Sequence, residues 1–116
     1  MTLNGGASYT VPLEKAGKVE LEADARYTSL QYYYVNVQDN VNRYLLDQPA
    51  YTLANARITW TAPSSRLSAS VYVDNFLNTV YRSHALPGYV PATGVYGDIV
   101  QYGDPRTIGG SLIYRF

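Results

Sequence analysis

Between Lys18 and Thr28 the chain reads KVELEADARYT. Val19, Leu21, Ala23, Ala25 and Tyr27 fall on one side of an alternating segment, and Glu20, Glu22, Asp24, Arg26 and Thr28 on the other. A helix would scatter these charges around its circumference. A strand, whose side chains alternate with a period of two, puts every charge on one face. The segment is therefore read as a strand with an apolar and a polar surround, and the apparent strand continues to Val35 through the Tyr32-Tyr33-Tyr34 run.

The same alternation recurs. Residues 2–11 set Leu3, Gly5, Ala7, Tyr9 and Val11 against Asn4, Gly6, Ser8 and Thr10. Tyr51 to Ala62 sets Ala54, Ala56, Ile58 and Trp60 against Leu53, Asn55, Arg57 and Thr59. Arg66 to Asn75 sets Leu67, Ala69, Val71 and Val73 against Ser68, Ser70, Tyr72 and Asp74. Thr107 to Phe116 sets Ile108, Gly110, Leu112, Tyr114 and Phe116 against Thr107, Gly109, Ser111, Ile113 and Arg115. That predicts five strands and an all-β, antiparallel fold. Pro12 to Gly17 and Pro63-Ser64-Ser65 are short turns with Pro, Gly and Ser as punctuation. Asn36 to Ala50 reads as a polar loop, and Phe76 to Asp104 as a long segment without legible geometry.

Composition narrows the class without deciding it. Lys plus Arg and Asp plus Glu balance at nine each, so nothing predicts nucleic-acid binding. There is no cysteine, which excludes disulfides and thiolate metal sites. The start, MTLNGGASYT, has neither a basic nor an apolar signal region. Mean hydropathy is −0.20. That value suits a soluble β domain, and equally a transmembrane barrel, whose alternating strands average low.

The connections alternate short, long, short, long. Outer-membrane barrels have short periplasmic turns and long extracellular loops, and their strands take about 9–11 residues to cross the apolar layer. With the short turns set as periplasmic, Tyr9, Trp60, Tyr114 and Phe116 fall near the periplasmic ends on the apolar face. Tyr27, with Tyr33, falls toward the outer end. Two aromatic belts around an aliphatic band is the girdle pattern expected at membrane interfaces. Five strands are too few to close a barrel, since about eight is the small end. An open sheet in lipid would leave unpaired edges. The expected fold is therefore an antiparallel transmembrane β-barrel segment, with residues 1–116 contributing the last strands of a larger barrel and the C-terminus periplasmic; closure by oligomerisation is the alternative.

Two stretches carry a resemblance. Val71–Tyr81, VYVDNFLNTVY, resembles a motif of TonB-dependent outer-membrane receptors: a strand runs into Asn-Leu-Phe-Asp/Asn and then Tyr. Asn75, Asn78 and Tyr81 match, while Phe76-Leu77 reverses the usual order. Tyr102–Phe116, YGDPRTIGGSLIYRF, is similar to that family's closing strand. The resemblance implies a 22-stranded barrel with an N-terminal plug, of which this chain would supply the last five strands and no part of the plug. It further implies a location in the outer membrane of a Gram-negative bacterium. The implied work is import of a scarce nutrient (a ferric siderophore, cobalamin or an oligosaccharide) energised through the TonB complex. Leu112, Tyr114 and Phe116 resemble the terminal signal read by the barrel-assembly machinery, though Ser111 stands where Gly is usual.

No catalytic constellation emerges. Ser83 and His84 are mere neighbours, and one His without a second ligand makes a poor metal site. The chain is read as a non-enzyme without cofactor. Tyr81, Arg82, His84, Tyr89 and Tyr96 in the long segment are candidates for ligand contact by loop aromatics, or else ordinary exposed loop residues. Glu20, Glu22, Asp24, Arg26 and Arg57 form either a mutually paired, solvated wall or a surface for plug or ligand. Two other readings stay open: a small soluble β-barrel or sandwich with the apolar face as its core, and a porin- or adhesin-type barrel without energised transport.

Overall fold

The computed structural model describes residues 1–33 and 47–116. Those residues are all-β, with antiparallel strands and no helix. The long strands are β1 (Thr2–Pro12), β2 (Lys18–Thr28), β5 (Tyr51–Thr61), β6 (Leu67–Asp74) and β9 (Thr107–Tyr114). They form one sheet in the order β1-β2-β5-β6-β9. These are the five expected strands, in chain order, each beside its predecessor. Two smaller pairings lie outside the sheet. β3 (Gln31–Tyr32) pairs with β4 (Asp47–Gln48), and β7 (Arg82–Val90) pairs with β8 (Val95–Tyr102).

Register makes the alternation two-dimensional. Ala7, Ala23, Ala56, Val73 and Ile108 lie in one cross-strand row, and Tyr9, Leu21, Ile58, Val71 and Gly110 in the next. Every row of that parity across the sheet is free of charge. The rows between carry Ser8, Glu22, Arg57, Tyr72 and Gly109, then Thr10, Glu20, Thr59, Ser70 and Ser111. A one-residue slip of β2, β5 or β6 would put charges on the apolar face, so the pattern itself holds their register.

The short turns sit at one end of the sheet. In the first, the Leu13 N–H donates to the Gly17 carbonyl at 2.7 Å. Gly17 has φ +97, and a Cβ there would lie 1.9 Å from the Thr61 carbonyl oxygen, so this turn needs glycine twice over. In the second, the Ser65 N–H donates to Ala62 at 2.9 Å, with Ser65 itself at φ 58.

Among the described residues the sheet is a single layer with neither face covered. The accessible surface is 8673 Å², against ~6,300 Å² for a folded monomer of this mass. The radius of gyration is 21.3 Å, against ~13 Å for a compact domain of this length. Leu112 is 73% and Ile108 71% exposed. Ala85 is the one fully buried apolar side chain among the described residues. Hydrogen bonds between strands connect the sheet, and it has no core of its own. The outermost strands, β1 and β9, each have one unpaired edge within this chain.

The structure corrects two boundaries. The second strand ends at Thr28 rather than running to Val35, and only Gln31–Tyr32 resumes pairing, in a separate ladder. Asn36 to Leu46, and Tyr34 with Val35, lie outside the described residues. The segment without legible geometry, 76–104, contains the β7–β8 hairpin. Its alternation is masked in sequence by Pro87, Gly88 and Gly97 and by a register irregularity between Arg82 and His84.

Candidate functional site

The apolar face carries the aromatics at its two ends. Tyr9 on β1 lies one row above the row of Val11, Val19 and Trp60; Tyr114 on β9 pairs with Leu67, one row below the Ala69–Leu112 pair that continues the Trp60 row. From β1 to β5 to β9 the belt therefore drops one row, two residues, for every two strands. Two residues span ~6.8 Å and two strands ~9.6 Å, a slope of about 35°. Strands in closed barrels tilt about 35–45° from the axis, so a belt level in a membrane crosses the strands at this slope. Trp60 donates its indole N–H to the Ala16 carbonyl at 2.8 Å, so the ring caps the first short turn. Tyr114 and Phe116 meet edge to face at 5.3 Å.

At the other end Tyr27 pairs with Leu3 and Thr52. Tyr33 does not join it: its ring turns into the loop-end cluster described below. Phe76, missed in the sequence, takes the place. Its N–H donates to Ala54 at 2.6 Å, and its ring borders the apolar patch of Ala23, Ala25, Ala54 and Ala56. From Tyr27 on β2 to Phe76 beyond β6 the step is again one row per two strands. The reversed order Phe76-Leu77, noted as a departure from the family motif, is what puts an aromatic here.

Phe76 reaches that place through the Asn75 turn. Asn75 (φ 52) and Asn78 (φ 53) are both left-handed, a conformation Asn tolerates better than most residues. The Asn75 side chain is buried. Its Nδ2 donates to the Thr79 carbonyl at 2.9 Å and the Asp104 carbonyl at 3.1 Å, and its Oδ1 accepts from the Thr79 N–H at 2.9 Å. The Asn75 N–H donates to Asn55 Oδ1 at 3.0 Å. The Arg106 N–H reaches Asn78 Oδ1 at 3.3 Å. One side chain thus joins the end of β6 to both roots of the β7–β8 hairpin.

The loop-end cluster is built on β4, β5 and β7. Tyr51 stacks on Tyr81 at 4.7 Å, and Tyr81 lies across Gly103, where a Cβ would collide with its ring. Gln48, buried, accepts the Arg82 N–H at 2.6 Å, and Arg82 Nη1 donates to the Asp47 carbonyl at 2.6 Å. The Tyr33 hydroxyl donates to the Arg82 carbonyl, and its ring tilts against His84 at 6.1 Å. Burial, then Tyr51 and Tyr81, push the Tyr33 phenol above its ordinary value; Arg82 opposes them. Tyr81, Arg82 and His84 are therefore brought together, and Tyr33, Gln48 and Tyr51 join them. Tyr89 and Tyr96 are backbone partners farther out on the hairpin; their side chains lie outside the described residues.

The polar face is stitched mainly by hydrogen bonds and a cation–ring contact rather than by ion pairs. Asn55 donates to Asp24 at 2.9 Å, Ser70 and Ser111 share a 2.7 Å bond, and Arg57 sits 5.7 Å from the Tyr72 ring centre. Tyr72 in turn covers Gly109, its register partner. Lys18–Glu20, at 3.1 Å and half exposed, is the one ion pair among the described residues, and exposed pairs contribute about 0–1 kcal/mol. The expected mutually paired charge wall is thus a hydrogen-bonded wall with several free charges. No group of His, Cys, Asp or Glu among the described residues is placed to hold a metal.

Comparison of the chain with models of protein families, with curated proteins and with solved structures found no match.

Proposed function

We propose that this chain forms the closing strands of a transmembrane β-barrel in a Gram-negative outer membrane, as part of a TonB-dependent receptor importing a scarce nutrient. The observation that carries the barrel reading is the apolar face. It is continuous over five strands, free of charge, uncovered, and bounded by aromatic belts that slope at about the tilt of barrel strands. At that tilt the belts of Tyr27 and Trp60, eight residues apart in register, stand about 20 Å apart in height, of the order of the ~25 Å apolar band of such barrels.

The edges of β1 and β9 would close against further strands. The polar wall would face a plug and the aqueous interior, and the loop-end cluster would form part of the outer mouth, where the imported ligand arrives. The receptor assignment rests further on the resemblance of Val71–Tyr81 and Tyr102–Phe116. TonB, the plug and the assembly machinery enter as partners through that resemblance alone. The soluble-module reading needs a second layer over the apolar face, and none of the described residues supplies one.

Expression with the sequence its gene places upstream, followed by membrane fractionation, tests the proposal. The protein is expected in the outer-membrane fraction, with a plug domain in the upstream frame. Recovery in the soluble fraction would contradict the barrel. A barrel without a plug would contradict energised import and favour a porin or adhesin. Deleting Phe116 is expected to lower outer-membrane levels far more than ligand recognition.

A further inference from the structure

Beyond the main sheet, the loop end carries two small ladders that share no strand. One is β3–β4, with two residue pairs, and the other is the β7–β8 hairpin. A lone two-stranded ladder is marginal at best in water, so each needs outside support. The base of the hairpin has it from the main sheet. The Gly103 N–H donates to the Tyr81 carbonyl at 2.9 Å, the Tyr81 ring stacks on Tyr51, and Asn75 donates to the Asp104 carbonyl.

Above that base, one residue ties the hairpin to the other ladder. Arg82 is the first residue of β7. Its N–H donates to Gln48 Oε1 at 2.6 Å, its Nη1 donates to the Asp47 carbonyl at 2.6 Å, and its carbonyl accepts the Tyr33 hydroxyl. Asp47 and Gln48 are the whole of β4, and Tyr33 directly follows β3. Both strands of the short ladder therefore hold the same residue of the hairpin. The Gln48 side chain is buried, so losing this joint leaves a polar amide without its partner.

We infer that the joint at Arg82 is a conformational coupling: the two ladders order and open as one unit while the main sheet stays folded. Neither ladder is stable by itself, and the bonds that support one are the bonds that support the other. Their opening free energies are therefore linked, and such linkage is reciprocal. The inference stands on these contacts and not on the membrane reading. Its consequence for a receptor is that a ligand touching the hairpin at His84 also orders β3–β4, and a ligand touching β3–β4 orders the hairpin.

Amide hydrogen exchange of the protein with its upstream sequence, folded in vesicles or in buffer, tests the coupling from both sides. Gly88→Ala perturbs the hairpin, because the new Cβ would stand 2.8 Å from the Gly97 carbonyl oxygen. It should quicken exchange in β8 and, by a similar factor, at Gln31, Tyr32 and Gln48. Tyr33→Phe removes one donor on the other side of the joint. It should quicken exchange at Gln48 and also at Ile99 to Tyr102, by about 5- to 30-fold. The Trp60 indole N–H, held by the Ala16 carbonyl in the main sheet, should be unchanged in both variants. Quickening confined to the ladder that carries the substitution would overturn the coupling. So would quickening of the Trp60 indole in step with both ladders, which would mean global opening. Should Gly88→Ala fail to fold, Tyr33→Phe, which deletes a single oxygen, decides alone. Exchange is read in whichever medium the protein folds, so recovery in the soluble fraction would contradict the barrel and leave this test intact.

Discussion

Ala56 offers the sharpest perturbation of the apolar face. It pairs with Ala23 and Val73, midway along the sheet. Thr52, the partner of Tyr27, lies four residues above it, and Trp60 four below, so Ala56 is equidistant from the two belts. In a barrel, Arg on the lipid face costs ~2–4 kcal/mol at the midplane and ~0–1 near an interface. Ala56→Arg should therefore shift the folding equilibrium in vesicles by roughly 30- to 700-fold. Ala69→Arg changes the same residue type in the Trp60 row, and should cost ~1 kcal/mol or less. Ser8→Arg, in the neighbouring row but on the polar face opposite Glu22, should stay within about 0.5 kcal/mol. Denaturant titration of folded protein in vesicles measures all three. Equal, small costs would mean that the face meets water. Equal, large costs at Ala56 and Ala69 would mean a packed protein core. Either result refutes the depth argument.

Three further outcomes follow from the contacts. Asn75→Ala removes three side-chain hydrogen bonds and leaves buried backbone groups unpaired, so a loss of about 3 kcal/mol is expected, with faster amide exchange at Thr79; unchanged exchange would show that the turn stands without it. Gly109→Ala drives a Cβ to 2.4 Å from the Tyr72 ring and should cost about 1–3 kcal/mol; the cost should shrink in a Tyr72→Ala background, and full additivity would deny the contact. The Tyr33 phenol titrates above its ordinary 10.0 in the folded state. Its contribution is thus constant at lower pH and falls as pH rises past that value, where the unfolded phenol ionises first. Loop-end exchange should quicken there, and Tyr33→Phe should remove that pH step.

The main sheet was legible because each long strand has two different faces. Charges at Glu20, Glu22, Asp24, Arg26 and Arg57 mark one face, and period two does the rest. The β7–β8 hairpin was not, because Pro87, Gly88 and Gly97 carry no polarity signal and a register irregularity shifts the phase. The end of β2 at Thr28 was hidden by the tyrosine run, which looks like strand whichever ladder it joins. Phe76 escaped notice because its facing depends on two left-handed asparagines, which no periodicity anticipates. The resemblance pointed to Asn75 and Asn78 without a reason; the hydrogen bonds to Thr79 and Asp104 supply one. The loop-end cluster was half visible. Tyr81, Arg82 and His84 are close in sequence, whereas Gln48 and Tyr51 reach them only through the fold.

The central claim is that one face of this sheet meets lipid and the other water. The most direct test is a nitroxide scan of β5 from Ala54 to Thr59 in the vesicle-embedded protein, reading collision with oxygen and with a water-soluble nickel complex. Labels at Ala54, Ala56 and Ile58 should collide with oxygen and be shielded from nickel, and labels at Asn55, Arg57 and Thr59 should show the reverse. Nickel access at all six positions, or shielding of the even-numbered ones from both reagents, would contradict the account.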